Sequence, residues 1–187
     1  LLAGADGEGL SKRIGSLSIG SLREDGIEAM AIASLLARIG TSDPVEVQTV
    51  MDDIIAGFDI SRFGRATPRF DPEQLAQINS KLLSEMAFAD IKDRLDAAPV
   101  TAELWDAVKG NIHKLSDVSV WSDVCYSSIQ PMQADEQVLA AALTCFPDGA
   151  LDASSWGEWA KAVMLLTGLT GKAVFMPLRQ AITGRQQ

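Results

Sequence analysis

The densest chemistry lies near the start of the chain, in Gly9-Leu10-Ser11-Lys12-Arg13-Ile14-Gly15, where a hydroxyl, a lysine and an arginine sit between two glycines. Exposed backbone N–H groups, Lys and Arg are the usual ligands of phosphate. Glycine permits backbone conformations closed to other residues. Asp6-Gly7-Glu8-Gly9 just before it reads as a flexible turn. Two readings follow: a mobile loop that handles phosphate, or a plain polar loop near a terminus. Local composition alone favours the second.

A different chemistry is written in the charge distribution. The net charge is −9, which argues against nucleic-acid binding by the whole surface. Yet from Leu115 to Ala160 there are seven acidic residues and no Lys or Arg, whereas from Lys161 to Gln187 there are four basic residues (Lys161, Lys172, Arg179, Arg185) and no acid. Arg62, Arg65 and Arg69 form a second basic cluster. Such islands could direct a polyanion to particular faces; composition alone leaves them as ordinary solvated charges. His113 stands alone and reads as structural rather than catalytic, without the neighbours of a triad or zinc site. Cys125 and Cys145 lack a metal-ligand pattern and are expected to be reduced core thiols in a cytoplasmic protein.

The elements that must position these groups are helical. At 187 residues and 47% apolar content the chain can bury a core without metal or disulfide staples. No apolar run is long enough to span a bilayer, and no segment has the pattern of a signal peptide. Ser18–Asp25 suggests a short helix closed at Gly26. Ile27–Ile39 carries Ile27, Met30, Ala31, Leu35 and Ile39 on roughly one face, with Gly40 placed as a C-cap. Thr49–Phe58 follows, with Thr49 and Asp52 spaced as a capping pair. Asp59–Phe70 reads as a linker, interrupted by Gly64 and Pro68. Asp71-Pro72 then opens a helix with the apolar stripe Leu75, Ile78, Leu82 and Leu83. Further helices are expected over Phe88–Leu95, Thr101–Lys114, Ser116–Tyr126, Asp135–Phe146 and Ser155–Thr167. The last of these should be capped by Ser154 or Ser155 and anchored in a core by Trp156 and Trp159. In the final helix the i, i+3, i+7 spacing of Phe175, Leu178 and Ile182 predicts an inward stripe, with Arg179 facing outward. No alternating strand pattern is present, so the fold class is all-α with at most short strands near the start.

Three stretches, in order, now resemble one family. Gly9–Gly15 is similar to the second signature loop of class I aminoacyl-tRNA synthetases, K-M-S-K-S, in the L-S-K-R form of bacterial glutamyl-tRNA synthetases. Leu22-Arg23-Glu24-Asp25-Gly26-Ile27, with Met30 and Leu35-Leu36, resembles the helical segment after that loop. Phe175-Met176-Pro177-Leu178-Arg179-Gln180-Ala181-Ile182-Thr183-Gly184 resembles the family's late F-x-P-L-R-x-A-L-T-G element, and the Phe70-Asp71 helix with Leu75 and Asn79 also fits. The short S-K-R is weak alone; the late element is specific, and order and spacing together span the whole chain.

The resemblance implies the C-terminal part of a glutamate–tRNA ligase: a helical stem-contact region followed by a two-part helical anticodon-binding region. The expected division is 1–62 (signature loop and stem contact), 63–130 (first anticodon-binding subdomain) and 131–187 (second, expected to be truncated at its end). The H-I-G-H motif of the nucleotide-binding catalytic domain is absent from these residues, so the chain alone is expected to be inactive. In the full-length enzyme, ATP with Mg2+ and glutamate would be used. Lys12 would steady the charge building on the leaving pyrophosphate, with Ser11 and Arg13 as further ATP contacts; no metal ligand is nominated. Gly9 replaces the family's first signature lysine. For tRNA-Glu, Arg179 matches the family's arginine near the anticodon, suited to base edges or stacking. Lys172, Thr183 and Arg185 are placed around it, and Arg62, Arg65 and Arg69 toward backbone phosphates. Ala76 occupies the place where relatives that exclude tRNA-Gln often carry arginine. The expected protein is a cytoplasmic monomer without DNA or membrane partners. A helical protein-interaction module and a paralogous synthetase charging tRNA-Gln are the alternatives.

Overall fold

The computed structural model describes residues 2–4, 7, 9, 18–95, 99–130, 132, 134–152 and 154–185. The described residues form ten α-helices, several short 3-10 turns and no strand. Two isolated bridges join Ala3 to Gly9 in antiparallel sense and to Arg69 in parallel sense. The contacts divide the chain into two units, 1–122 and 123–187.

In the first unit the helices are α1 (Ile19–Glu24), α2 (Ala29–Leu36), α3 (Met51–Ala56), α4 (Pro72–Glu85), α5 (Phe88–Ile91), α6 (Ala102–Val108) and the first turns of α7 (Val118–Tyr126). The longest, α4, starts where sequence chemistry puts it. The Asp71 carboxylate accepts from the Glu73 N–H at 2.9 Å, and Pro72 occupies the first turn, where its missing N–H costs nothing. Its apolar residues serve two cores. Leu75, Ile78 and Leu82 pack with Ala31, Leu35, Val47 and Phe70. Leu83, on the adjoining ridge, packs with Ile91, Leu104, Trp105, Val108, Ile112 and Val118. The Trp105 ring is fully buried, and its Nε1–H donates to the Met86 carbonyl at 3.0 Å, so its one polar atom is satisfied.

Between those two cores lies Asn79, fully buried. Its Oδ1 accepts from the Glu28 N–H at 2.8 Å, and its Nδ2 donates to the carbonyls of Gly26 (3.2 Å) and His113 (2.7 Å). One side chain thus ties the α1–α2 turn and the turn after α6 to the middle of α4. Gly26 is required at that turn: its φ is +82°, and a Cβ there would lie 2.8 Å from the Lys114 Cβ. His113 is exposed, with Nδ1 2.9 Å from the Ser80 hydroxyl.

The second unit contains the end of α7, then α8 (Glu136–Thr144), α9 (Ser155–Thr167) and α10 (Lys172–Thr183). These last three surround Val138, Ala142, Trp159, Ala160, Val163, Val174 and Leu178. The Trp159 Nε1–H donates to the Ala142 carbonyl at 2.9 Å, fastening α9 to α8. Gly168 and Gly184 end α9 and α10 in the left-handed conformation.

Several local expectations are corrected. Helix α2 stops at Leu36 rather than Ile39, although Ile39 still packs on the first core. Helix α6 stops at Val108 and continues only as a 3-10 turn through Gly110 and Asn111, both poor helix formers. The N-cap of α3 is Val50, without a side-chain cap, so Thr49 and Asp52 do not form the expected pair. Cys125 is exposed, because α7 buries Val118 and Ser122 instead. Cys145 is half-buried at the end of α8, where its thiol donates to the Ala141 carbonyl.

Replacing the Asn79 side chain strands an N–H and two carbonyls at once. Asn79→Ala is expected to lower the unfolding free energy by about 3 kcal/mol in urea titration. A loss under about 1 kcal/mol would contradict the tie described here.

Candidate nucleic-acid interface

The position of every late basic residue follows from which stripe of α10 is buried. Val174 and Leu178, four residues apart, are fully buried, whereas Phe175 and Ile182 are exposed. The expected inward stripe is therefore half right: Leu178 faces the core, and Val174 replaces Phe175 and Ile182 as its companion. In a helix, residues three, four and seven apart share a face. Lys172, Phe175, Arg179 and Ile182 accordingly line the outer side. Lys172 and Arg179 are exposed and form no ion pair with a described residue. Pro177 sits inside the helix, where it supplies no N–H to the Ala173 carbonyl.

The aromatic residues beside this face divide in the same way. Trp159 is 8% exposed and belongs to the core, as expected. Trp156 is 42% exposed and does not. The Trp156 ring stacks on Phe175 with centroids 6.3 Å apart and 28° between planes, and meets Trp159 edge-on at 5.9 Å. The start of α9 that carries Trp156 is held by an acid which the sequence reading passed over. The Asp152 carboxylate accepts from the N–H groups of Ser154 (2.8 Å) and Ser155 (3.1 Å) and from both hydroxyls. Ser154 makes no side-chain cap, so the expected serine cap is corrected to Asp152. Hydrogen bonds from the Ser154 hydroxyl and N–H, then from Ser155, hold the Asp152 pKa below its ordinary 3.8.

Beyond α10 the chain turns into a cleft of about 570 Å³ lined by Ser127, Ser128, Gln130, Thr183 and Arg185, with Asp123 also on its wall. Thr183 is committed to the backbone: its hydroxyl donates to the Arg179 carbonyl at 2.7 Å and accepts from the Arg185 N–H at 3.2 Å. Gly184 has φ +65°, and a Cβ there would lie 2.7 Å from the Gln130 carbonyl oxygen. The late Thr-Gly pair is thus a helix stop that aims Arg185.

The linker arginines are not equivalent. Arg62 donates to the Asp43 carboxylate at 2.8 Å and lies 3.7 Å from Asp59, and these acids raise its pKa above the ordinary value. Arg65 and Arg69 are exposed and form no ion pair with a described residue. Arg69 adjoins the beginning of the chain: the Ala3 N–H donates to the Pro68 carbonyl at 3.0 Å, and the Phe70 N–H to the Ala3 carbonyl at 2.8 Å. Gly9, bridged to the same Ala3, is thereby brought to this linker. Ser11, Lys12 and Arg13 lie outside the described residues. A second cleft, about 630 Å³, is lined by Arg23 and Arg94, which the sequence reading did not single out as binding residues; Arg94 is paired with Glu28 at 2.6 Å. Among the described residues no group of three or more His, Cys, Asp or Glu side chains is placed to hold a metal ion. No helix among them is long and apolar enough to cross a membrane.

Two outcomes test this geometry. Gly184→Ala is expected to destabilise the chain by about 2 kcal/mol in urea titration, from a left-handed φ combined with a backbone clash; an unchanged midpoint would contradict it. For Asp152, the depressed pKa means that its stabilising bonds are complete above pH 3.8 and are lost as pH falls through the lower folded value. The amide proton shifts of Ser154 and Ser155 should titrate with a midpoint below 3.8, and not at all in Asp152→Asn. A midpoint at or above that value would contradict the cap.

Comparison with known proteins gives a consistent result. No family model matches the chain. It is 44% identical over 193 residues to glutamate–tRNA ligase 2 of Ruegeria sp. (strain TM1040), covering 100% of this chain and 44% of that protein. It is 45% identical over 191 residues to glutamate–tRNA ligase 1 of Roseobacter denitrificans, covering 99% of this chain and 43% of that protein. With the glutamate–tRNA ligase of Azospirillum brasilense the identity is 43% over 189 residues, covering 99% and 42%. The chain thus spans less than half the length of the curated relatives it matches. Among solved structures, the glutamate–tRNA synthetase of Elizabethkingia anophelis shares the fold with a TM-score of 0.66 at 21% identity, covering 100% of this chain and 45% of that one. The chain belongs to the bacterial glutamate–tRNA ligases and corresponds to their C-terminal part.

Proposed function

We propose that this chain is the tRNA-binding portion of a glutamate–tRNA ligase, and that the whole protein activates glutamate with ATP and esterifies it to tRNA-Glu. The observation that carries the reading is the outer face of α10. It presents Lys172 and Arg179 from a segment, residues 161–187, that contains no acid in a chain of net charge −9. A polyanion repelled by most of the surface has an approach there. In this reading residues 1–62 carry the signature loop and meet the tRNA stem, and residues 63–130 and 131–187 form the two anticodon-binding parts. Lys12 steadies charge on the leaving pyrophosphate in the whole enzyme, with Ser11 and Arg13 beside it. This chain alone is inactive in aminoacylation, because the nucleotide-binding part with H-I-G-H is not in its sequence.

Arg179 acts on a base of the anticodon, by paired hydrogen bonds or by stacking. Lys172 and Arg185 act on phosphates, as do Arg65 and Arg69 elsewhere. Arg62, already neutralised by Asp43 and Asp59, contributes less than its two linker neighbours. Thr183 acts by positioning Arg185.

The test is a titration of fluorescent tRNA-Glu transcript at several salt concentrations. Arg179→Ala is expected to weaken binding by roughly tenfold, and Lys172→Ala to lower the salt slope by about one. No binding by the unaltered chain at low salt, or affinity unchanged in both variants, would contradict the reading. A helical protein-interaction module is the second reading, favoured by the exposed Leu143 and Leu165 of the same unit; it requires a stable protein complex that RNA does not displace.

A further inference from the structure

The surface beside Arg179 holds a feature that charge alone does not explain. Trp156 and Phe175 are large rings left 42% and 39% exposed, in contact with each other, while Trp159 three residues away is buried. We propose that Trp156 and Phe175 form the stacking site for an unpaired RNA base, with the neighbouring phosphate on Lys172 and the adjoining anticodon base on Arg179; the inference rests on the tRNA-binding reading above.

Four observations support it. The rings are offset rather than eclipsed, with centroids 6.3 Å apart and planes 28° from parallel, so each keeps part of its π-face open. Trp156 is braced from behind by Trp159 at 5.9 Å, and Trp159 is itself fixed by its hydrogen bond to the Ala142 carbonyl. The exposed ring is therefore held in place before any ligand arrives, which lowers the ordering cost of binding. Gly157, next in sequence, is exposed, and a Cβ added there would touch nothing within 4 Å, so the approach beside the indole is open. Finally, Phe175 lies three residues from Lys172 and four from Arg179, spacings that make all three neighbours on the helix surface.

This combination fits one chemistry better than another. Sequence-tolerant binding of single-stranded nucleic acid uses an aromatic ring for the base and cations for the backbone, since every base has a π-face. A purely apolar protein surface would cover the rings and leave Lys172 and Arg179 unmatched. A paired stem would match the cations and leave the rings unused. An unpaired base joined to phosphate satisfies both.

The experiment uses two RNA probes, the anticodon stem–loop of tRNA-Glu and the same stem as a blunt duplex, with the unaltered chain, Trp156→Leu and Phe175→Leu. Leucine keeps apolar bulk and removes the ring. Each variant is expected to lose roughly tenfold in affinity for the stem–loop, and none for the duplex. Tryptophan fluorescence of the unaltered chain should be quenched by the stem–loop, and this quenching should be lost in Trp156→Leu. If that variant shows reduced helicity, Phe175→Leu and the ring-retaining Trp156→Phe carry the comparison, the first weakened and the second near normal. Variants that bind the stem–loop like the unaltered chain would overturn the proposal while leaving tRNA binding intact, and so would equal losses on both probes. No binding of either probe by the unaltered chain would overturn both.

Discussion

The burial of Val174 and Leu178 is the constraint from which the functional face follows. Both sit in the core formed by α8, α9 and α10. Burying a Val or Leu side chain is worth about 1.5–3 kcal/mol, far more than an exposed cation gains from any one surface orientation. The hydrophobic pair therefore sets the rotation of α10, and the charged residues take the positions left over. Lys172 and Arg179 face outward because Val174 and Leu178 face inward. Phe175 and Ile182, apolar but on the far side of the same helix, are left at the surface for the same reason. Gly184 completes the constraint by ending the helix tightly against the Gln130 carbonyl, which fixes where Arg185 begins.

The first unit solves a different problem with a polar device. Its two hydrophobic clusters meet along α4, and the turns that flank them have no regular secondary structure to satisfy their backbone groups. Asn79 supplies those bonds from inside, one acceptor and two donors directed at three backbone groups. Asparagine suits this place because its amide offers both kinds of group without a charge to desolvate. Charges in the same unit are also paired: Arg62 with Asp43, and Arg94 with Glu28. The unit thus leaves Arg65 and Arg69 without an ion pair to a described residue while pairing Arg62 and Arg94, a distribution that composition alone does not reveal.

Much of this was legible in the sequence. The all-α class, the start of α4 at Asp71-Pro72 and the outward position of Arg179 all rest on local chemistry, and local chemistry prevails there. The misreadings have a common physical origin. Phe175, Leu178 and Ile182 satisfy a helical period, but so does the pair Val174 and Leu178. Only the packing partners on α8 and α9 decide between the two stripes. The same applies to Trp156 and Trp159, which are both apolar and three residues apart, so spacing could not assign one to the core and the other to the surface. Position counting puts the cap of α9 on a serine because serine adjoins the helix, whereas Asp152 reaches the helix start through a turn. The family resemblance, carried by the late Phe-Met-Pro-Leu-Arg element, was legible because it is long and specific.

The central claim is that the outer side of α10 meets RNA. Backbone amide spectra of the isotopically labelled chain, recorded as unlabelled tRNA-Glu transcript is added, address it residue by residue. The account predicts that shift changes and broadening concentrate at Lys172, Phe175, Arg179 and Arg185 and around Trp156, with little change between Leu115 and Thr144. Perturbations confined to the acidic stretch, or absent from α10 while the transcript is bound, would contradict it.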